Sequence, residues 1–307
     1  MIKDKIIEVK KLNANLYTLI ERLSPSMFTT MTLVIGDEKA AIIDTGFGAT
    51  DTLPEIIKQI IDKPVICLLT HCDPDHAGGA SQFNEIYMSD GDDNLLKSGA
   101  VKAKPRLIMV QNLCEESQKD YFKKHIVKKN TFSYESISDG DTFDLGGCIL
   151  EAISFPGHSN GSMCFFNKKE GYAVCGDAII NGDSAILFFD KSRSLLEYKQ
   201  NLQKFVYRVG EEITLYTGHS IEPINKTVIR ELLILCDEIL DGNTKQDIPY
   251  MPPFLKPDDT SYSIATLFNN IIIKQVAKKQ LRDSIPMVHR KAGFDSSIKY
   301  NANKLGI

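Results

Sequence analysis

The stretch Thr70-His71-Cys72-Asp73-Pro74-Asp75-His76-Ala77-Gly78-Gly79 decides the reading of this chain. It brings two imidazoles (His71, His76) and two carboxylates (Asp73, Asp75) into six residues, directly after the apolar run Pro64-Val65-Ile66-Cys67-Leu68-Leu69. That run is short, bounded and β-branched at two positions, which predicts a buried strand. The polar cluster then falls on the loop where the strand ends, the usual place for a site in an α/β arrangement. Polar side chains packed this tightly would repel one another without a cation to share, so the residues point to a metal site.

Bulk properties place that site in a globular protein. The 307 residues suffice for one large domain, or for a domain plus an extension. The hydrophobic fraction (43%) and charged fraction (25%) are ordinary. A net charge of −4 with both signs interspersed gives no electrostatic case for nucleic acid or an anionic membrane. The opening Met1-Ile2-Lys3-Asp4-Lys5-Ile6-Ile7-Glu8 lacks an apolar signal core, and no run reaches the length of a membrane span. Seven scattered cysteines, an odd number without a CxxC pair, fit reduced thiols in a cytoplasm better than a disulfide framework.

Outward from the opening stretch, Leu16 to Ile20, Met31 to Ile35 and Ala40 to Asp44 read as strands, with Gly36-Asp37-Glu38-Lys39 as a hairpin turn. Leu53, Ile56, Ile57 and Ile60 have helical spacing within Thr50 to Ile61. Residues 81 to 135 are more polar, with a helix expected around Glu115 to Val127. A second β-rich block follows in Thr142 to Leu145, Ile149 to Ser154, Met163 to Asn167 and Tyr172 to Cys175. A helix through Leu195 to Tyr207, a strand through Ile213 to Tyr216 and an amphipathic helix over 225–241 come next. Two β-rich halves closed by helices predict two sheets packed face to face with helices outside. Pro249 to Pro257 is a breaker, Ser263 to Arg282 resumes a helical pattern, and the last 20 residues are polar and weakly patterned.

Four further positions repeat the pattern of a ligand-type residue at a strand end beside small residues. They are Asp44-Thr45-Gly46, Pro156-Gly157-His158-Ser159-Asn160-Gly161-Ser162, Cys175-Gly176-Asp177-Ala178 and Thr217-Gly218-His219-Ser220. With these motifs in order, the chain resembles the metallo-β-lactamase fold hydrolases over about residues 12 to 241, with a variant H-x-D-x-D-H motif. The resemblance implies an α+β fold, a four-layer αββα sandwich, followed here by a C-terminal helical extension. Residues 1–247 would form the metallo-β-lactamase-like domain and 248–307 the extension, as a lid, a dimerisation arm or a partly disordered tail.

The resemblance also implies two divalent metal ions, zinc, iron or manganese. One would be held by His71, His158 and Asp73, the other by Asp75, His76 and His219, with Asp177 bridging. A hydroxide shared between the ions would be the nucleophile, and Asp75 would orient it or shuttle its proton besides its ligand role. Asp44 is expected to support the site rather than ligate. The departure is Asp73, where the fold's hydrolases carry histidine and its diiron branches glutamate. An extra carboxylate favours harder ions, so iron or manganese gains on zinc.

These features lead to a cytoplasmic dinuclear metal-dependent hydrolase acting on an ester-, thioester-, lactone- or phosphodiester-type bond of a small molecule, with a homodimer possible and no nucleic acid or membrane partner. The alternative is a diiron redox protein acting on oxygen or nitric oxide with a separate electron donor. A further one is a non-catalytic, ligand-binding relic of the fold. Cys72 is expected to pack inertly, facing away from its neighbours in the motif. The run Ser89-Asp90-Gly91-Asp92-Asp93 reads as a solvated helix start and His125 as a surface residue. His289 and Arg290 could reach a substrate only if the tail folds back. Pocket walls are expected from 22–30, 89–130, 181–193 and the tail, with Met27, Phe28, Phe188 and Phe189 as apolar candidates.

Overall fold

The computed structural model describes residues 6–180, 185–210, 212–224, 227–249, 287–291 and 296–306. The first half carries strands β1 (Ile7–Lys11), β2 (Leu16–Ser24), β3 (Met27–Ile35) and β4 (Ala40–Ile43), then helix α1 (Leu53–Ile60) and strand β5 (Val65–Leu68). The short helix α2 (Pro74–Ala77), strand β6 (Ile86–Met88), helices α3 (Asp93–Ser98), α4 (Ala103–Leu113) and α5 (Lys119–His125), and strand β7 (Glu135–Ser136) complete it. The second half has strands β8 (Thr142–Asp144), β9 (Ile149–Ser154), β10 (Met163–Asn167), β11 (Tyr172–Val174) and β12 (Ala185–Leu187). Helix α6 (Leu195–Val209), strand β13 (Thr214–Tyr216), helix α7 (Thr227–Leu240) and strands β14 (Ile248–Pro249), β15 (Met287–Arg290) and β16 (Ser297–Tyr300) follow.

Strands β1 to β7 form one sheet in chain order, antiparallel as far as β4 and parallel from β4 to β7. Strands β13-β11-β10-β9-β8 form the second sheet. The inner faces meet in one apolar layer, where Leu16, Val34, Ile43 and Leu68 pack with Leu150, Ala152, Phe165 and Val174. The outer face of the first sheet buries Leu33, Ile42, Cys67 and Leu69 under Leu53, Ile56 and Ile57 of α1. The second sheet is covered by α6 and α7 through Tyr198, Leu202, Phe205, Leu232 and Leu235. This is the expected αββα layering. The reason lies in the strands: β4 is buried at every position, as a strand covered on both faces must be.

Two expectations need revision. The helix foreseen over Glu115 to Val127 is shorter, confined to α5 after a 3-10 turn at Glu116–Gln118. A second helix, α4, precedes it. Its run Leu107-Ile108-Met109-Val110 has no helical period, and its buried residues are Arg106 and Val110. Arg106 is fully buried because it donates to the carbonyls of Phe47 (2.6 Å), Gly48 (3.4 Å), Val101 (2.7 Å) and Val127. Glu21 accepts from the amides of Phe47 (2.6 Å) and Ala49 (2.8 Å), so the loop after β4 is pinned from two sides.

A third sheet, β12-β16-β15-β14, joins the chain's end to its body. The residues of the expected helical pattern over 263–282 lie outside the described ones. The weakly patterned segment beyond them supplies two strands, with Ile298 and Tyr300 buried in the α6–α7 layer. Strand β16 runs parallel to β12, pairing Ile298 with Ala185 and Lys299 with Ile186.

Candidate metal centre

Every residue singled out at a strand end comes to one edge of the sandwich. His71 follows β5, and Pro74 at the first position of α2 turns the chain so that Asp75 and His76 point back beside it. His158 lies in the loop from β9 to β10, Asp177 follows β11 and His219 follows β13. Two sets of donor atoms converge, each within 4.8 Å of one another: His71, His158 and Asp177 in one, and Asp75, His76 and His219 in the other. Asp177 spans the two, with Oδ1 3.2 Å from His76 Nε2 and Oδ2 3.4 Å from His219 Nε2 and 3.9 Å from His158 Nε2.

The four histidines are held alike. Each turns Nδ1 outward to a partner and Nε2 inward. His158 Nδ1 meets the Ile186 carbonyl at 3.0 Å, and His219 Nδ1 meets that of Phe28 at 3.1 Å. His76 Nδ1 lies 2.8 Å from Asp44 Oδ2, and His71 Nδ1 lies 3.1 Å from Thr70 Oγ1. The outer hydrogen bond fixes the tautomer and leaves the Nε2 lone pair facing the centre, the arrangement that metal-binding imidazoles adopt. His71 Nε2, His76 Nε2 and Asp177 Oδ1 are buried with no hydrogen-bond partner among the described residues. Buried polar atoms are rarely left so, and a shared cation would satisfy all three. The donor set fits divalent zinc, iron or manganese.

Asp44 is the support it was expected to be. Its backbone sits at φ 63°, an uncommon conformation for a side chain that is not glycine. From there it accepts from the Thr70 amide (2.8 Å) and hydroxyl (2.7 Å) as well as from His76. Gly218 is required by space. A Cβ there would lie 2.3 Å from His76 Cε1 and 2.7 Å from Asp177 Oδ1.

Asp73 lies beside the two histidines it was expected to join, with Oδ2 3.1 Å from His158 Nε2 and 3.4 Å from His71 Nε2, and it is paired with the Lys191 ammonium. Asp177, the expected bridge, completes the first set of converging donor atoms. Asp92 departs from expectation. Far from being solvated, it is buried and accepts from the Cys72 amide (2.9 Å), the Ser159 hydroxyl (2.8 Å) and the Gly161 amide (2.8 Å). It therefore ties the His71 loop to the His158 loop. Cys72 is buried in the first sheet's outer layer, and burial, then Asp92, pushes its thiol well up, as inert packing requires.

His125 stacks on Tyr121 with its ring 4.4 Å away, and lies 3.3 Å from Asp51. His289 faces Asp247 (2.6 Å) and Glu238 (3.2 Å). Neither histidine belongs to the two donor sets. Lys191 and Asp92 are what the sequence reading missed. Lys191 carries no local signal, lying 33 residues from His158. Asp92 was hidden in an acidic run.

Burial alone would push the Asp177 carboxyl up, but His219 and His76 hold it well below the usual carboxylate range. Burial likewise opposes the Asp73 charge, and Lys191, then His71, overcome it to hold that carboxyl well below its usual range. Imidazoles lose protons on burial, yet Asp177 and Asp75 lift His76 well above its usual value. Against the same burial, Asp177 and Asp75 bring His219 up to about 10. His158 moves down, through burial and the neighbouring Lys191. The second set thus sits in a negative field that favours a cation, while the first already faces one.

Residues 26–88 match the family model of the metallo-beta-lactamase superfamily. Among curated proteins, the acyl-coenzyme A thioesterase MBLAC2 of Homo sapiens is 25% identical over 162 residues, 49% of this chain and 58% of that protein. The atrochrysone carboxyl ACP thioesterase dmxR1 of Cryptosporiopsis sp. is 29% identical over 171 residues, 53% of this chain and 44% of that one. The matched part of the chain thus spans only about half the length of these relatives. Among solved structures, a metallo-beta-lactamase from Pontibacter korlensis superposes with a TM-score of 0.55 at 18% identity, covering 75% of this chain and 99% of its own. A metallo-beta-lactamase family protein from Thermus thermophilus gives 0.53 at 18% identity, covering 76% and 81%. With its two facing sheets, its strand-end histidines and aspartates, and the matched segment, the chain is a metallo-beta-lactamase-fold protein.

Proposed function

We propose that this chain is a metal-dependent hydrolase of acyl thioesters, with its two donor sets holding divalent ions. The observation that carries this reading is the common pose of His71, His76, His158 and His219, Nδ1 tied outward and Nε2 turned on Asp75 and Asp177. Bound divalent ions would supply a water ionised near neutral pH and a Lewis acid for the substrate carbonyl. The chain's own residues do the rest. Asp75 Oδ2, 3.5 Å from His219 Nε2 and 3.8 Å from His76 Nε2, is the carboxylate oxygen placed to hold the proton given up by an attacking water. Asp44, Thr70 and the carbonyls of Ile186 and Phe28 keep each imidazole aimed. The thioester class is supported by the names of the human and fungal relatives, and a thiolate leaves readily without a strong acid behind it.

The test is thiol release from a panel of acyl-coenzyme A and acyl-pantetheine esters by the full chain, stripped of metal and reloaded with zinc, manganese or iron(II). Release that needs the ion and disappears in His76→Ala supports the reading. Turnover of lactones or phosphodiesters without thioesters would move the substrate class. Oxygen uptake by an iron-loaded form with no hydrolysis of any ester would favour the diiron redox alternative. That alternative drew on Asp73 as an extra hard ligand, and the pairing of Asp73 with Lys191 weakens its motive. No helix among the described residues is long and apolar enough to cross a membrane.

A further inference from the structure

Lys191 sits at the centre with no role in hydrolysis assigned to it. Its ammonium is paired with Asp73 Oδ2 and lies 3.1 Å from His158 Nε2. Its side chain is only 15% exposed, and Nζ sits 5.1 Å from the centre of the Phe189 ring. The loop that presents it is fastened on both sides. Ser192 Oγ donates to the His158 carbonyl (2.9 Å), and the Arg193 amide donates to that of Gly157 (2.8 Å). From the chain's end, Lys304 Nζ donates to the carbonyls of Phe189 (3.1 Å) and Asp190 (3.0 Å). Such anchoring marks a lysine held at this spot.

The hydrogen-bond chemistry of His158 gives this a consequence. Its Nδ1–H is donated to the Ile186 carbonyl, so Nε2 carries a single lone pair. In this structure that lone pair faces the Lys191 ammonium. A metal ion would bind the same lone pair at about 2.0–2.1 Å, too close for both to use it.

We propose that Lys191 is a built-in cation of the first donor set, which makes the two metal subsites unequal. The Asp75–His76–His219 set takes a divalent ion first, and the His71–His158 set takes one only by displacing the Lys191 ammonium from His158. The inference rests on the metal-dependent reading above and deepens it. It makes the second ion the adjustable one, and ties its affinity to the 188–193 loop.

The test is zinc titration of the metal-free full chain against a chromophoric chelator, for the wild type, Lys191→Met and Lys191→Gln, with circular dichroism confirming that each is folded. The wild type is expected to bind one ion tightly and a second at least about tenfold more weakly. Both variants are expected to tighten the second by about tenfold or more and to leave the first nearly unchanged. His219→Ala should remove the tight ion, while His71→Ala should spare it. Two ions of equal affinity in the wild type, an unchanged second affinity in both variants, or a tight ion lost with His71 rather than His219 would overturn the role of Lys191 alone. Absence of any tight ion in every form would overturn the metal reading with it.

Discussion

At the scale of single residues, the outward hydrogen bonds decide what the inward atoms can do. Asp44 accepts three of them at once, so Asp44→Asn should turn His76 and weaken metal affinity by about 10–100-fold, measured by chelator competition. Gly218→Ala acts by space instead, pressing a methyl group against His76 and Asp177. The expected result is loss of tight metal binding with the melting temperature little changed, because the clash lies at the edge and not in a core layer. The ligand-type residues were legible because each sits beside a turn residue at the end of an apolar run, a local signal. Their partners were not. Ile186 and Phe28 contribute backbone carbonyls, which leave no mark in side-chain identity, and Lys191 arrives from a loop distant in sequence.

At the scale of elements, the strand-end loops are held in mutual register by Asp92. Removing its carboxylate strands the Cys72 and Gly161 amides and the Ser159 hydroxyl without partners. Asp92→Ala should therefore cost roughly 1–3 kcal/mol for each group left unsatisfied, read from urea unfolding, and should lower metal affinity as well. The strands β4 and β5 were readable as apolar runs, and α1 from its spacing. Helix α4 was not, since its buried positions include an arginine whose purpose is to cap four carbonyls from three separate segments. The tail strands β15 and β16 were equally hidden, because burial there falls on Lys299, Ser297 and His289 as well as on Ile298. Partners supplied by distant segments make such polar residues tolerable inside, and no local pattern announces them.

At the scale of the whole molecule, the chain's end is part of the core. Ile298 is fully buried in the α6–α7 layer, so Ile298→Ala should destabilise the protein by roughly 2–5 kcal/mol in equilibrium unfolding. The centre's electrostatics give a pH prediction for the same measurement. His219, lifted from 6.5 to about 10 in the metal-free fold, contributes stability that is complete below pH 6.5 and is lost as pH rises through 10. A bound ion must displace that proton, so the rise in melting temperature conferred by a divalent metal should grow across the same window. A metal-induced rise that is flat or shrinks with pH would contradict this.

The parallel pairing of β12 with β16 has a consequence that reaches beyond stability. Ile186 accepts the Nδ1–H of His158 and, as the register partner of Lys299, belongs to the ladder that holds the end of the chain. Coupling between two sites is reciprocal. Whatever locks the His158 ring must slow the opening of that ladder, and whatever frays the ladder must loosen the ring. Amide hydrogen exchange at residues 297–300 should accordingly slow when the centre is loaded, reporting on its occupancy from a strand that bears none of its candidate ligands.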